Sequence, residues 1–199
     1  MTVRRAPAPD ARQRDAERSK QALLDAAVAE FGAHGFGGAR VTEIAARAGV
    51  NKQLISYYFG GKQGLYDAVT DRWRDNEPAV TQDATTLGEV VAAYARETLA
   101  APDLARLLVR QGIDQDEPDD PARDTRFQAV LADFRHRQET GELAADLDPA
   151  HVALALFALS AAPVTFPQIA RSLGLDPDAP TFADQYAEQL IRLVARLAE

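Results

Sequence analysis

The sequence predicts an all-α protein, helical from about Arg18 through its last residues. Three observations predict it. Apolar residues recur every three or four positions along nearly the whole chain, no stretch reads as a hairpin of alternating strands, and glycine or proline closes most of the periodic runs. With 199 residues, 46% of them hydrophobic, the chain can bury a sizeable core as one domain or two small ones.

Residues 1–14 carry Pro7, Pro9 and four arginines with little apolar content, the composition of a flexible basic arm. From Arg18 the pattern becomes helical: Leu23, Leu24, Ala27, Val28 and Phe31 share a stripe until Gly32, Gly35, Gly37 and Gly38 stop the helix. A short second helix covers about 41–48, with Ile44, Ala45 and Ala48 inward and Gly49 at its end. The third begins near Asn51. It places Asn51, Ile55, Tyr58 and Phe59 on one face and leaves Lys52, Gln53, Ser56 and Tyr57 largely on the other. A fourth starts near Lys62 and runs through Leu65, Tyr66, Val69 and Trp73 toward Pro78.

Farther along the chain, Thr86-Leu87-Gly88-Glu89 is a capping box that opens a helix through about Leu99. Pro102 to Gly112 gives another. Arg123 to about Glu139 follows, with Phe127, Val130, Leu131 and Phe134 inward and Gly141 after its end. Asp148 then caps a helix whose first residue is Pro149. From Val152 to Ala162 that helix has Ser160 as its single polar residue, so it must be covered on both sides, by its own domain and by a second subunit. Pro163 and Pro167 are expected to break it and leave room for a cavity. The last helix, opened by Thr181 and Asp184, aligns Phe182, Tyr186, Leu190, Leu193, Val194 and Leu197 on one stripe. Leu156, Leu159, Leu190, Val194 and Leu197 are therefore expected in the two-fold interface of a homodimer.

The absence of cysteine excludes disulfides, Cys-ligated zinc and thiol nucleophiles. The first residues lack an apolar stretch of signal-peptide length and no 18-residue apolar run occurs, so a cytoplasmic location without membrane insertion is expected. A net charge of −8 argues by itself against nucleic acid, but the total hides an asymmetry. Through Tyr66 there are ten basic and six acidic residues, and from Asp67 onward twelve against 24. A basic end on an acidic body is what a polyanion-facing head would look like.

That end contains the spacing of a helix-turn-helix: Ala45 where two helices cross, Gly49 and Val50 in the turn, then Ile55 and Tyr58 as anchors beneath the second helix. Residues 44–69, IAARAGVNKQLISYYFGGKQGLYDAV, resemble the signature of the TetR family of transcriptional regulators in order and spacing, and the likeness extends back to about Arg18. Residues 141–149, GELAADLDP, also resemble a stretch that precedes the penultimate helix in many members.

The resemblance implies a three-helix DNA-binding head (15–62) after the arm (1–14), a larger helical body (63–199) that encloses a small-molecule pocket, and two final helices that pair with their copies. Partners would be a double-stranded operator, a second copy of the chain and an unidentified effector, with no cofactor and no catalysis. Carried over position by position, Lys52, Gln53 and Ser56 would face bases, Tyr57 would lie on the sugar-phosphate backbone, and Lys62 at a helix start would hold a phosphate, with Thr42 also at DNA. Arg40, Asn51 and Leu54 complete the candidate interface, Leu54 by contact with a thymine methyl. The chain departs from the family at three of these places. Arg40 stands where Thr or Ser commonly caps the second helix, so it either meets a phosphate or the helix begins differently. Ser56 replaces an aromatic ring, and Leu54 a frequent Thr. For the arm two readings stay open: a passive tail, or Arg side chains that enter the minor groove.

Other signals carry little. Residues 59–64, FGGKQG, lack the Gly and Ser/Thr of a phosphate loop, since Ser56 and Gln63 occupy those places. Residues 114–120, DQDEPDD, lack the spacing of a calcium loop, and His34, His136 and His151 lack that of a metal site. In the body Trp73, Tyr94, Phe127, Phe134, Phe157 and Phe166, with Arg106 or Arg110, are candidates to line an apolar pocket, against the competing reading of plain core. A ligand-independent DNA-binding protein and a helical enzyme are the alternatives, the latter without a catalytic motif.

Overall fold

The computed structural model of the chain describes residues 9–114 and 121–198, with side chains for 13–113 and 122–198. Among them ten α-helices follow one another without a strand: α1 (Pro9–Gly38), α2 (Val41–Ala48), α3 (Gln53–Phe59), α4 (Lys62–Val80), α5 (Leu87–Ala100), α6 (Pro102–Asp114), α7 (Pro121–Glu139), α8 (Pro149–Thr165), α9 (Pro167–Ser172) and α10 (Phe182–Ala195). A 3₁₀ turn, Arg196–Ala198, follows α10. None of the described helices is long and apolar enough to cross a membrane. The packing separates residues through Asp75 from those after it.

In the first unit, α1 starts well before Arg18. Pro9 suits a first helical position, and the run that follows is rich in Ala, Arg, Gln and Glu. Pairs one turn apart add to it, Asp15 with Arg18 at 2.9 Å and Glu17 with Lys20 at 3.0 Å. Of the expected arm, residues 1–8 lie outside the described part and 9–14 open α1. The helix is interrupted at Gly35 (φ 67°, ψ 175°). Leu23, Ala27 and Phe31 from α1, Ile44 and Ala45 from α2, Ile55 from α3, and Leu65, Tyr66 and Val69 from α4 are buried. Phe31 stacks against Phe36 at 6.0 Å and meets Tyr66 edge-on at 5.2 Å. Each large side chain fully buried here contributes about 1.5–3 kcal/mol. The first half of α4 completes this core, so the division falls after Asp75 rather than at the expected 62/63 boundary.

In the second unit, α5 opens with the expected capping box. The Thr86 hydroxyl accepts the Glu89 N–H at 3.2 Å, and Glu89 Oε2 accepts the Thr86 and Thr85 N–H groups, each at 2.9 Å. These donors hold the Glu89 carboxyl at about 2. Glu142, just after α7, accepts the Leu87 N–H and pairs with Arg137, tying the end of α7 to the start of α5. Leu87, Val91 and Ala95 of α5 pack with Phe134, Leu143, Leu156, Leu190 and Val194. Helices α5 and α10 approach closely at Gly88, where an added Cβ would lie 3.1 Å from Ile191 Cα.

Pro163 does not break α8. Proline lacks the N–H that would bond the Leu159 carbonyl one turn back. The Tyr186 hydroxyl of α10 donates to that carbonyl at 2.8 Å instead, and the helix continues to Thr165. Asp148 caps α8 as expected, accepting the His151 N–H at 3.0 Å with Pro149 next to it. Thr181, by contrast, makes no side-chain cap bond at α10.

Candidate nucleic-acid interface

The geometry of the head follows from its turns. Gly49 has φ 67° and ψ 28°, and the Val50 N–H reaches back to the Ala45 carbonyl at 3.1 Å, the closing bond of a glycine-ended helix. A side chain at Gly49 would be strained, since the left-handed conformation costs other L-residues about 1–2 kcal/mol. After the turn, Asn51 Oδ1 accepts the Gln53 N–H at 2.9 Å. Asn51 is exposed, and its side-chain oxygen is engaged by the first N–H of α3.

Between the start of α2, α3 and the start of α4 lies an open groove of about 620 Å³. Arg40, Thr42, Lys52, Gln53, Ser56 and Lys62, six of the nine expected DNA-facing residues, line it. Arg40, Thr42, Lys52, Gln53 and Ser56 are exposed, and Tyr57 is 79% exposed beside the ring of Tyr58 at 5.1 Å. Leu54 is half-buried, which limits its reach toward a base, while Ile55 is buried and Tyr58 half-buried. Three cations on a concave surface make an anion-attracting strip on a chain whose net charge is −8.

Lys62 is tied more closely to the protein than a free phosphate clamp would be. Its Nζ donates to the Gly37 carbonyl at 3.3 Å and sits 4.7 Å from the Phe36 ring centre. An ammonium has three donors, so a phosphate can still be accepted, but the side chain also braces the end of α1 against the start of α4. Sequence reasoning missed other braces. Arg72 pairs with Asp25 at 2.7 Å, Lys20 lies 5.5 Å from the Tyr58 ring centre, and the Arg40 N–H donates to Glu30 at 3.3 Å. The signal for Glu30 was present: it falls on the inner stripe of α1 between Ala27 and Phe31.

The residues proposed from sequence for the body scatter. Tyr94, Phe127 and Phe157 come together around a polar pair the sequence did not mark. The Tyr94 hydroxyl donates to Glu77 at 2.6 Å, and Arg126 lies 2.7 Å from the other Glu77 oxygen. Burial, helped by Glu77, pushes the Tyr94 phenol well above its ordinary range. The Arg126 guanidinium lies 4.9 Å from the Phe127 ring centre, and Phe127 meets Phe157 edge-on at 6.1 Å. Phe134 is instead in the core, Phe166 is half exposed, Arg106 pairs with Asp103 at the surface, and Arg110 is exposed. Trp73 belongs to the first unit and is half-buried.

Of the five expected dimer residues, three are buried within the body and two are half-buried. Leu156, Leu190 and Val194 are 3–4% exposed in the body's own core, and Leu159 and Leu197 pack against that core. The surface of α8 is formed by Leu154 (69% exposed), Ala155, Phe157 and Ala158, and α10 exposes Leu193. Among the described residues no group of three potential metal ligands occurs.

Comparison with known proteins gives a consistent picture. Residues 23–69 match the model of bacterial regulatory proteins of the tetR family, and residues 86–196 that of a tetracyclin repressor-like C-terminal domain. The HTH-type transcriptional repressor SCO4008 of Streptomyces coelicolor is 33% identical over 172 residues, 84% of this chain and 90% of that protein. The HTH-type transcriptional regulator RutR of Escherichia coli is 29% identical over 199 aligned positions, covering 92% of each. Among solved structures, the transcriptional regulator SCO4942 from Streptomyces coelicolor superposes with a TM-score of 0.73 at 26% identity, covering 89% of this chain and 97% of that one.

Proposed function

The chain belongs to the TetR family of bacterial regulatory proteins, a regulator and not an enzyme, and from that premise we propose that it represses transcription as a cytoplasmic homodimer on a near-palindromic operator and leaves it when a small molecule binds the body. The observation that carries this reading is the basic groove of the head, with Lys52 just before α3, Gln53 and Ser56 outward on it, and Arg40, Thr42 and Lys62 beside them. Phosphate contacts by the lysines and Arg40 would fix register, and Gln53 and Ser56 would read base edges. Two identical heads would demand half-sites separated by about one helical turn or a multiple of it.

The second copy would dock on the outward face of α8, at Leu154, Phe157 and Ala158, with Leu193 of α10, since these apolar side chains are uncovered while Leu156, Leu190 and Val194 are used internally. For the effector, the Tyr94–Glu77–Arg126 group beside Phe127 and Phe157 combines apolar walls with a few polar atoms, the general character of a small-molecule site. Release needs only a preference of the effector for the DNA-incompetent arrangement, each tenfold of preference supplying about 1.4 kcal/mol against operator binding.

Binding of the purified chain to a duplex from the promoter region beside its own gene, measured together with sedimentation, tests the proposal. A dimer that binds this duplex more tightly than a scrambled one is expected. A monomer without sequence preference would overturn it. Leu154→Glu should shift sedimentation toward the monomer if the face is correctly placed.

A further inference from the structure

Glu30 is a carboxylate placed where an apolar side chain would be expected. It lies on the inner stripe of α1 and is 3% exposed. Burying a charge is costly unless hydrogen bonds and opposite charges compensate it. Here Oε1 accepts the backbone N–H of Arg40 at 3.3 Å, while Oε2 faces Arg47 at 4.0 Å and His34 at 3.9 Å. Arg40 is the residue that precedes α2, with the extended φ of −116° and ψ of 125° typical of that place, and its side chain makes no cap bond. The first N–H groups of any helix have no acceptor within it. Residues 40–43 read Arg-Val-Thr-Glu, a capping box in which the opening Ser or Thr is missing although Glu43 holds the third position.

We propose that Glu30 is a positioning residue for DNA recognition: from α1 it accepts the Arg40 N–H just ahead of α2, with Arg47 and His34 facing its second oxygen, and so fixes Arg40 and Thr42 at the wall of the groove. The inference rests on the reading of the head as a DNA-binding surface, and it names the residue that holds that surface in place. Glu30 takes the Arg40 N–H, the donor that the Glu43 carboxylate would accept in a complete capping box.

Three variants separate this role from simple space filling. Glu30→Gln keeps an acceptor of nearly the same shape, Glu30→Leu keeps the bulk and removes the acceptor, and Arg40→Thr added to Glu30→Leu restores a capping side chain at the extended position before α2. Amide hydrogen exchange of residues 40–44 reads the cap without DNA, and binding to the promoter duplex reads its consequence. Loss of a helix cap corresponds to about a fivefold change in the opening equilibrium, so Glu30→Leu is expected to exchange the Arg40 amide and bind DNA about fivefold worse. Glu30→Gln should stay within about twofold of wild type in both. The double variant completes a capping box with Glu43, whose carboxylate can then accept the residue-40 N–H, and should recover protection there. Glu30→Leu indistinguishable from wild type, or Glu30→Gln as impaired as Glu30→Leu, would overturn the proposal. Should Glu30→Leu fail to fold, recovery of the folded state in the double variant supports the cap and its absence overturns it. Wild-type binding to the same duplex reports separately on the DNA reading itself.

Discussion

Replacing Lys52 by alanine isolates the electrostatic part of DNA binding. Lys52 is exposed and lines the groove, and alanine is at least as good a helix former as lysine, so the fold of the head should be preserved. A lysine that neutralises one phosphate contributes about 0.9 to the slope of log affinity against log salt, so a dimer losing one contact in each head should lose about 1.8. Between 50 and 200 mM salt that difference compounds, and wild-type affinity should fall about twelvefold more than that of the variant. Fluorescence anisotropy with the promoter duplex at four or five salt concentrations measures it, with a thermal melt as control. An unchanged slope would refute the placement of Lys52 at a phosphate, and a lowered melting temperature would show that the side chain supports the fold instead.

Lys62→Ala should differ from Lys52→Ala: its contacts with Gly37 and Phe36 predict a loss of about 1 kcal/mol in head stability as well as a shallower salt slope, and a melt identical to wild type would refute the bracing role. Tyr186→Phe leaves the Leu159 carbonyl without the donor that replaces the missing proline N–H, at a cost of about 1–2 kcal/mol read as a lower urea midpoint with unchanged m-value. Gly88→Ala should destabilise by about 1–3 kcal/mol because its Cβ meets the Ile191 backbone, whereas Gly112→Ala, with open space around it, should not. Glu89 ionises near 2 in the folded chain against an ordinary 4.5, so its carboxylate stabilises fully above about pH 4.5 and that contribution disappears as pH falls toward 2. Glu89→Gln should therefore melt below wild type at neutral pH and converge with it in acid, and a pH-independent gap would refute the cap.

Local chemistry made much of this protein legible from sequence alone. The TetR-family membership, the all-helical class, the glycine turn at Gly49, the capping box of Thr86 and Glu89, and the Asp148–Pro149 start of α8 each depend on residues a few positions apart, so their physics is contained in a short window. The outward set on α3 was legible for the same reason, because a short helix between two fixed turns leaves one phase for Lys52, Gln53 and Ser56.

What the tertiary structure decided concerns partners distant along the chain. Helix α8 is apolar on every side, so its sequence holds no phase, and only packing against α5, α7 and α10 turned Leu156 inward and Leu154 outward. Pro163 reads as a break until Tyr186, on another helix, supplies the missing donor. Glu77 and Arg126 read as surface charges until they close on each other and on Tyr94, and Glu30 reads as an exception in an apolar stripe until the Arg40 backbone arrives from the next helix. A buried polar group is tolerable only once its partner is in place, and periodicity within one helix does not specify a partner on another.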